Sequence, residues 1–364
     1  MSKPIGVGVI GCGSALRGSY RRELDSLRLA GRIEPIVACD SKPALADEMR
    51  SPRFGFGRFV TDPAAVIDSA DVELVVITTG NHEHAWLART ALLAGKHVLV
   101  EKPMAVDLGD ADDLVRLAAE SPGILLPAPY VILSPTFQRI WRRVRQGEIG
   151  RPLSARVLYG WSGPDWGEFF YRPGGGSMLD LGIYGVTALA ALIGPVRRVT
   201  GLMGTAIPER LVRGRTMTVG ADDNAQVCLE FDGGCYAVVT TGFTIQRSRT
   251  PGLEVYGSRG TIQMLGGTWK PEGYEMWRND LGAWQVFEEE DPDWNWTDGL
   301  RHLVECIESG KRPLVGVDLA FHVLEVIEAA RQAGRDGVRR DIRSSFATPE
   351  LWPGDGAPED AILR

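Results

Sequence analysis

The feature that most constrains the fold is an alternation of short, apolar, β-prone runs with helix-length amphipathic segments between residues 5 and 127. This alternation is typical of a parallel sheet covered by helices, because parallel strands need long crossover connections. The pattern predicts strands at 5–10, 34–39, 73–78, 96–100 and 123–126, and helices at 14–30, 42–51, 62–69, 82–94 and 107–120. We therefore expect an α/β, doubly wound nucleotide-binding domain over residues 1–128.

The rest of the chain, residues 129–364, has a different pattern. Residues 225–231 and 235–243 alternate apolar and polar side chains on either side of Asp232-Gly233, which is a tight-hairpin signal. A second pair of strands, at 253–256 and 261–265, turns at 257–260. These hairpins predict an α+β domain with a large, mostly antiparallel open sheet. Helices are predicted at about 135–147, 177–193, 297–309 and 317–334.

Composition narrows the possible partners. The chain has 40 Lys and Arg against 47 Asp and Glu, a net charge of −7, so it offers no excess positive field to nucleic acid or an anionic membrane. No apolar run approaches the ~20 residues of a membrane span, and the first residues lead directly into a strand pattern rather than a signal peptide. We expect a cytoplasmic protein with no nucleic-acid or membrane partner.

The five cysteines indicate reduced, buried thiols. They are odd in number, never spaced as CxxC, and mostly embedded in apolar strand patterns, which disfavours disulfides and zinc. His82 and His84 lie two residues apart, so their side chains do not converge on a helix. We expect no metal site.

A glycine turn follows the first strand. Gly11-Cys12-Gly13 stands between that strand and a helical segment that begins with Ser14, Ala15 and Leu16. Glycines at this position let backbone amides approach a pyrophosphate at a helix N-terminus. Leu16 occupies the place where the dinucleotide fingerprint has Gly or Ala, so a tight turn in another kind of α/β protein remains the alternative.

An acidic residue, Asp40, ends the second strand, 27 residues beyond Gly13. A carboxylate here accepts hydrogen bonds from the adenosine ribose and repels a 2′-phosphate, which favours NAD(H). Lys42 could attract that phosphate, so NADP(H) stays possible. The structural alternative for Asp40 is a helix cap before Lys42-Pro43.

Two further polar segments end strands at the same edge of the predicted sheet. They are Thr78, Thr79, Asn81 and His84 after one strand, and Glu101, Lys102 and Pro103 after the next. Ligands of open α/β sheets collect at this carboxyl edge, so we expect both segments to contact the cofactor. Helix capping by Thr and Asn, and a solvated strand end with a cis or trans proline, are the alternatives.

A helix after three glycines at 174–176 is apolar on nearly every side except one stripe. The stripe consists of Ser177, Asp180, Tyr184 and Thr187. A buried carboxylate needs a partner, and Lys102 is the candidate. In the alternative, Asp180 binds backbone amides and Tyr184 is a core aromatic.

Taken together, GVIGCG at 8–13, Asp40, TTGNHEH at 78–84, EKP at 101–103 and GGGSMLDLGIY at 174–184 resemble the Gfo/Idh/MocA family of NAD(P)-dependent oxidoreductases. The resemblance implies that Lys102, Asp180 and Tyr184 form the catalytic group. Tyr184 stands where many members have His, which is similar to glucose-fructose oxidoreductases, dihydrodiol dehydrogenases and sugar 3-ketoreductases.

The resemblance implies hydride transfer between a nicotinamide cofactor and a secondary alcohol or ketone of a sugar, cyclitol or sugar derivative. Tyr184 would move the hydroxyl proton, with its pKa brought down by Lys102, while Asp180 orients the lysine or holds a substrate hydroxyl. The aromatic residues just before the glycines suit the C–H faces of a pyranose or cyclitol, with core packing as the alternative. The expected substrate-binding residues are Lys102, Trp166, Tyr171, Arg172, Asp180 and Tyr184, with Trp161, Trp294 and Trp296 as further candidates.

Two other functions fit the same pattern. Some relatives hydrolyse glycosides through transient oxidation with NAD, and a non-catalytic dinucleotide sensor could keep the fold. Family likeness also implies a homodimer or homotetramer built across the exposed face of the second sheet.

Overall fold

The computed structural model describes residues 3–267, 269–288, 291 and 293–348. It contains a parallel six-stranded sheet followed by a mixed, mostly antiparallel nine-stranded sheet. The predicted fold class, a doubly wound sheet plus an α+β part with a large open sheet, is confirmed. Residues 349–364, the last part of the predicted second domain, lie outside the described residues.

The first sheet is parallel throughout, with strand order β3-β2-β1-β4-β5-β6. Its strands are β1 (Ile5–Ile10), β2 (Ile33–Cys39), β3 (Arg58–Val60), β4 (Leu74–Ile77), β5 (His97–Val100) and β6 (Leu125–Pro127). All residues of β1 and β4 are buried, as expected for central strands covered on both faces. The sequence pattern did not predict β3, which is only three residues long.

Helices connect these strands. They are α1 (Arg21–Leu29), α2 (Ala46–Arg50), α3 (Ala64–Ile67), α4 (His84–Leu93) and α5 (Leu108–Glu120). The helix predicted at 14–30 is in fact a π-helix, Ala15–Tyr20, that continues into α1. Wider turns of this kind occur mostly at functional sites.

The strand order reverses direction between β1 and β4, which places a crevice beyond the carboxyl ends of these two strands. Gly11, at the end of β1, has a φ of +98°, and a Cβ there would lie 2.7 Å from the backbone of Thr78 and Thr79. Glycine is therefore required at this position by the close approach of two strand ends. The crevice is where the glycine turn and the polar segment after β4 meet.

The described residues of the second half contain eleven strands. They are β7 (Pro152–Gly160), β8 (Val196–Gly204), β9 (Glu209–Val212), β10 (Arg215–Thr218), β11 (Asn224–Phe231), β12 (Tyr236–Gly242), β13 (Leu253–Gly257), β14 (Gly260–Gly267), β15 (Lys270–Arg278), β16 (Ala283–Glu288) and β17 (Arg340–Asp341). Nine form one sheet in the order β16-β15-β14-β13-β7-β12-β11-β8-β17, whereas β9 and β10 pair with each other. The β7–β12 pair is parallel and the other neighbours are antiparallel.

Four helices pack on this sheet or beside it: α6 (Pro135–Arg145), α7 (Ile183–Ile193), α8 (Gly299–Ser309) and α9 (Val317–Asp336). A short π-helix, Met178–Gly182, leads into α7. Helix α7 is buried over residues 183–192 because it packs between β7 and α9. Helix α9 contacts both β8 and α5, so it joins the two halves of the molecule.

In the part of the chain that the structure describes, no helix is both long and apolar enough to cross a membrane. All five cysteines are free thiols, and Cys228 is exposed whereas the other four are buried.

Candidate active site

A cleft of about 500 Å³ lies between the carboxyl edge of the first sheet and the second half of the chain. One wall carries Ser14, Thr78 and Lys102, which follow strands of the first sheet. The opposite wall is aromatic and includes Trp161 and Trp269. The two halves of the chain therefore contribute different chemistry to one space.

Lys102 and Asp180, which lie 78 residues apart in the chain, form an ion pair in this cleft. The Nζ atom of Lys102 donates to the Asp180 Oδ1 atom at 2.6 Å and to the Asp180 carbonyl oxygen at 3.0 Å. Their side chains are only 14% and 15% exposed, so the pair is largely shielded from water. Lys102 lies just after β5, and the peptide bond that joins it to Pro103 is cis. Asp180 lies in the π-helix before α7. The partner that the sequence suggested for Asp180 is therefore the observed one.

The third residue of the predicted group, Tyr184, also lines the cleft, and it is 2% exposed. Lys102 Nζ lies 5.4 Å from the centroid of its ring. The rings of Trp269 and Tyr159 lie 5.2 Å and 6.0 Å from it, centroid to centroid. The structure thus brings together the ammonium group of one half and the phenol of the other.

Burial raises the pKa of Tyr184 well above its ordinary value of 10, and the negative charges of Glu101 and Asp180 raise it further. We expected Lys102 to lower this pKa, and that expectation is wrong for the described structure. The physical reason is that burial of the ring and the charges of Glu101 and Asp180 dominate, while the ammonium group of Lys102 is itself paired with Asp180. Tyr184 therefore keeps its proton throughout the neutral range.

Glu101 is buried and turns toward the base of the cleft. One carboxylate oxygen accepts a hydrogen bond from the Tyr20 hydroxyl at 2.7 Å, and the other accepts from the Lys102 backbone N–H at 3.1 Å. Since Tyr20 ends the π-helix that follows the glycine turn, Glu101 ties that helix to the backbone of the lysine.

The polar segment after β4 braces the same edge. Its four predicted residues, Thr78, Thr79, Asn81 and His84, all line the cleft. The ring nitrogens of His84 lie 2.8 Å from the Pro103 carbonyl and 3.2 Å from the Thr79 carbonyl, and burial lowers the pKa of the imidazole. The ring of His84 therefore lies between the ends of two adjacent strands, and in its neutral form it donates its single N–H to one of the two carbonyls.

The glycine turn offers space for a ligand at Gly13, where no atom lies within 4 Å of the place a Cβ would take. Asp40 accepts hydrogen bonds from the Cys12 N–H at 2.8 Å and from the Lys42 N–H at 3.0 Å. Each carboxylate oxygen retains further acceptor capacity, so the turn-capping role and a ribose contact are compatible. The side chains of Cys12 and Leu16 lie in the core, so these two residues offer a ligand only their backbone.

Two predicted substrate contacts are not supported. Tyr171 is 1% exposed and donates its hydroxyl proton to the Pro164 carbonyl at 2.8 Å, outside the lining of the cleft. Arg172 is exposed and pairs with Glu168. The phenol of Tyr171 is thus satisfied within the core and the guanidinium of Arg172 lies in solvent, so neither side chain lines the cleft.

The predicted tryptophans also fall into two groups, those that line the cleft and one that does not. Trp161, Trp166 and Trp296 line the cleft, whereas Trp294 is buried outside its lining. The loop that carries Trp296 is fastened to the π-helix after the glycine turn, because Asn295 Nδ2 donates to the Ser19 carbonyl at 3.3 Å. This loop therefore connects the end of the second half to the glycine turn of the first.

Sequence reasoning missed Asp222, a buried residue that positions the helix bearing Asp180. Its Oδ2 atom accepts hydrogen bonds from the Ser177 hydroxyl at 2.9 Å and from the Met178 N–H at 2.8 Å. Gly176, with a φ of +102°, makes room for it, since a Cβ there would lie 2.2 Å from the carboxylate. The available signal was two adjacent acidic residues directly before an apolar strand.

Comparison with known families gives two matches. A family model described as oxidoreductase family, NAD-binding Rossmann fold matches residues 5–128. A second, the GFO/IDH/MocA C-terminal domain, matches residues 137–263.

Among curated proteins, the chain is similar to the 1,5-anhydro-D-fructose reductase of Ensifer adhaerens, with 31% identity over 64% of this chain and 69% of that protein. It is 28% identical to the dTDP-3,4-didehydro-2,6-dideoxy-alpha-D-glucose 3-reductase of Actinomadura kijaniata, over 92% of this chain and 97% of that protein. Its fold matches that of a levoglucosan dehydrogenase solved with NADH and levoglucosan, with a TM-score of 0.84 and 20% identity over 93% of this chain and 99% of that one.

The Asp222 cap gives a testable prediction. We expect Asp222→Ala to lower the free energy of unfolding by about 1–2 kcal/mol, because two donors at the start of a buried helix lose their acceptor. Asp222→Asn should cost less, since its amide oxygen can take the place of Oδ2, which accepts both bonds. Denaturant unfolding measures the change, and Asp280→Ala, an exposed carboxylate, is the control. Equal midpoints for Asp222→Ala and wild type would contradict the assigned role.

Proposed function

The chain belongs to the GFO/IDH/MocA family of NAD-binding oxidoreductases, and we propose that it transfers a hydride between NAD(H) and a secondary alcohol or ketone of a sugar or polyol. The observation that carries the proposal is the meeting of Lys102, Asp180 and Tyr184 in one cleft beside the glycine turn. Relatives named for anhydrofructose, levoglucosan and a nucleotide sugar support a sugar-like substrate.

The residues at the carboxyl edge fit a dinucleotide. The open space at Gly13 and the N-terminus of the following π-helix suit a pyrophosphate, and Asp40 suits the ribose hydroxyls. Thr78, Thr79, Asn81 and Glu101 would border the nicotinamide end. When bound, NAD accepts a hydride from the substrate in one direction and NADH returns it in the other. In this proposal residues 1–128 hold the cofactor and residues 129–364 supply the substrate wall.

Lys102 would act on the substrate oxygen. Asp180 fixes the ammonium group through two short contacts, so its remaining N–H bond has a defined direction. A cation held at the reacting oxygen stabilises the negative charge that develops there during hydride transfer. Asp180 thus serves as the residue that orients the lysine.

Tyr184 would move the proton. Because its pKa is raised, the phenol is a proton donor at neutral pH, which suits reduction of a ketone. In the oxidation direction the same group must first lose its proton, which becomes easier as the pH rises. The buried phenol therefore favours reduction near neutrality.

A cytoplasmic location and a homo-oligomer complete the proposal. Five free thiols suit a reducing compartment. The outer face of the nine-stranded sheet carries exposed apolar side chains, namely Leu202, Tyr236 and Val238, which a second copy could cover.

We expect Lys102→Met to reduce kcat by about 10²–10³-fold, the loss typical of removing one charge-stabilising donor. Affinity for NADH should change little, because the cofactor is held mainly by the glycine turn and Asp40. Absorbance at the NADH band measures turnover with 1,5-anhydro-D-fructose and levoglucosan, and calorimetry measures binding. Lys270→Met, at an exposed position on β15, is the matched control. Product release without net change in NADH would instead indicate a glycoside hydrolase.

The raised pKa of Tyr184 predicts a different pH profile for each direction. Reduction should stay flat between about pH 6 and 9, since the acid form dominates there, whereas oxidation should rise about tenfold per pH unit over the same range. Tyr184→Phe should strongly reduce both activities, and the residual oxidation rate should no longer rise with pH. An oxidation rate that reaches a plateau near pH 7 would contradict the raised pKa.

The oligomer proposal predicts a dimer or tetramer by light scattering coupled to size-exclusion chromatography. Val238→Glu should shift the protein toward monomer, because it places a charge on the apolar face. Leu29→Glu, at an exposed position on α1, is the control. A monomeric wild type would exclude the proposed assembly.

A further inference from the structure

Two large aromatic side chains stand half exposed in the cleft. Trp166 is 46% exposed and Phe169 is 50% exposed. Both line the same cleft as Lys102 and Asp180, whose side chains are only 14% and 15% exposed. The exposed rings therefore mark the outer end of the cleft and the ion pair its inner end. Large apolar surface left in water at the rim of a cleft is typical of a binding site.

These rings belong to a packed group of four, which we call the aromatic rim: Trp161, Trp166, Phe169 and Phe170. The ring centroids of Phe169 and Phe170 lie 4.0 Å apart, and those of Trp161 and Trp166 lie 5.1 Å apart. Trp166 contacts the edge of Phe170 at 5.9 Å. The exposed faces of Trp166 and Phe169 thus belong to a group of rings that pack against one another.

The backbone of the aromatic rim is fixed from two sides. The β9–β10 turn holds it through Arg213, whose N–H donates to the Asp165 carbonyl at 2.8 Å and whose Nε donates to the Trp166 carbonyl at 2.6 Å. The glycine segment holds it through the Gly176 N–H, which donates to the Phe170 carbonyl at 2.8 Å. A ligand that binds here pays little to order the surface, because the surface is already formed.

The charges around the aromatic rim do not favour an anionic substituent at that end of the cleft. Among the described residues that line it, Lys102 is the only Lys or Arg, and Asp180 already neutralises it. Glu101 adds a further carboxylate to the lining. Beside the rim, Arg172 is engaged by Glu168. A phosphate or carboxylate here would compete with Asp180 for Lys102 and with Glu168 for Arg172, since both cations are already paired.

We propose that the aromatic rim is a subsite for an aromatic aglycone, so that the substrate is an uncharged aryl glycoside. The inference rests on the proposed function and adds to it the class of the substituent. The pyranose ring lies at the inner end, where its carbinol carbon loses a hydride to NAD⁺, leaving a ketone and NADH. Its hydroxyl proton passes to the Tyr184 oxygen after that phenol has lost its own proton to solvent, a step that becomes easier as the pH rises. The aglycone stacks on Trp166 and Phe169, because offset contacts between aromatic rings are favourable beyond the area that they bury.

The test compares substrates that differ only in the aglycone. NADH formation is measured with phenyl and methyl D-glucopyranosides and D-galactopyranosides, both anomers of each, and with glucose 1-phosphate and UDP-glucose as anionic probes. In at least one phenyl and methyl pair we expect kcat/KM to be about tenfold higher for the phenyl glycoside, the discrimination that one well-placed apolar group gives. We expect the anionic probes to be the poorest substrates.

Substitutions test whether the preference for phenyl over methyl glycosides comes from the aromatic rim. Trp166→Ala and Phe169→Ala should each bring the phenyl to methyl ratio of kcat/KM close to one, whereas Trp284→Ala should leave it unchanged. Trp284 is the matched control, because it is also 46% exposed but lies on β16, away from the cleft. Ratios near one for every pair in the wild type, or a preference for UDP-glucose, would overturn the proposal. So would a change of oligomeric state in Trp166→Ala without a change of ratio, since a second copy would then cover the rim.

A separate binding measurement distinguishes failure of the subsite from failure of the proposed function. Calorimetry of phenyl glycosides against the NADH-loaded protein does not require turnover. Binding that weakens about tenfold in Trp166→Ala supports the subsite even if no glycoside is oxidised. Absence of any difference between phenyl and methyl glycosides in this measurement overturns it.

Discussion

The ion pair between Lys102 and Asp180 is the contact on which the site depends, because it joins a strand end of the first sheet to a buried helix of the second half. Its geometry is fixed from both sides. Glu101 holds the backbone of Lys102, and Asp222 holds the start of the helix that carries Asp180. Separating the pair would leave charges in a largely water-shielded space, which is costly. The relative position of the two halves at the cleft is therefore set by electrostatics as well as by the packing of α9.

The same arrangement explains why Tyr184 would act as a proton donor although its pKa is raised. Two carboxylates, Glu101 and Asp180, act on Tyr184 together with its burial, and the one nearby ammonium group is paired. A lysine that is neutralised by a carboxylate can still direct an N–H bond at a substrate oxygen, because hydrogen bonding is local. It has much less effect on the pKa of a neighbouring group. Orientation of the substrate and tuning of the proton donor are thus separate tasks in this cleft.

The sequence predicts what depends on local pattern and on strand ends. Five strands of the β1–β6 sheet follow from their apolar runs, whereas the three-residue β3 does not. Lys102 and Tyr184 meet because one ends a strand at the ligand edge and the other lies on a helix with a polar stripe. Prediction fails where long-range packing decides. Tyr171 and Trp166 are neighbouring aromatics in the chain, yet one fills the core and the other lines the cleft. The parallel β7–β12 pair has no local signature, and the adjacent acidic residues at 222 and 223 do not reveal which helix Asp222 caps, since each contact joins residues more than 40 positions apart.

Asp222 and its neighbour Asp223 show how one strand start can organise both walls of the cleft. Asp222 turns toward the helix that bears Asp180, whereas the fully buried Asp223 pairs with Arg210 at 3.2 Å. Arg210 in turn donates to the carbonyl of Ser162 at 2.7 Å, on the segment that leads to the aromatic rim. Two buried carboxylates in sequence would repel each other if they shared an environment, so each requires its own donors. Asp222 and Asp223 find their donors on opposite sides. The start of β11 therefore supports both the helix that bears Asp180 and the aromatic surface that faces the ion pair.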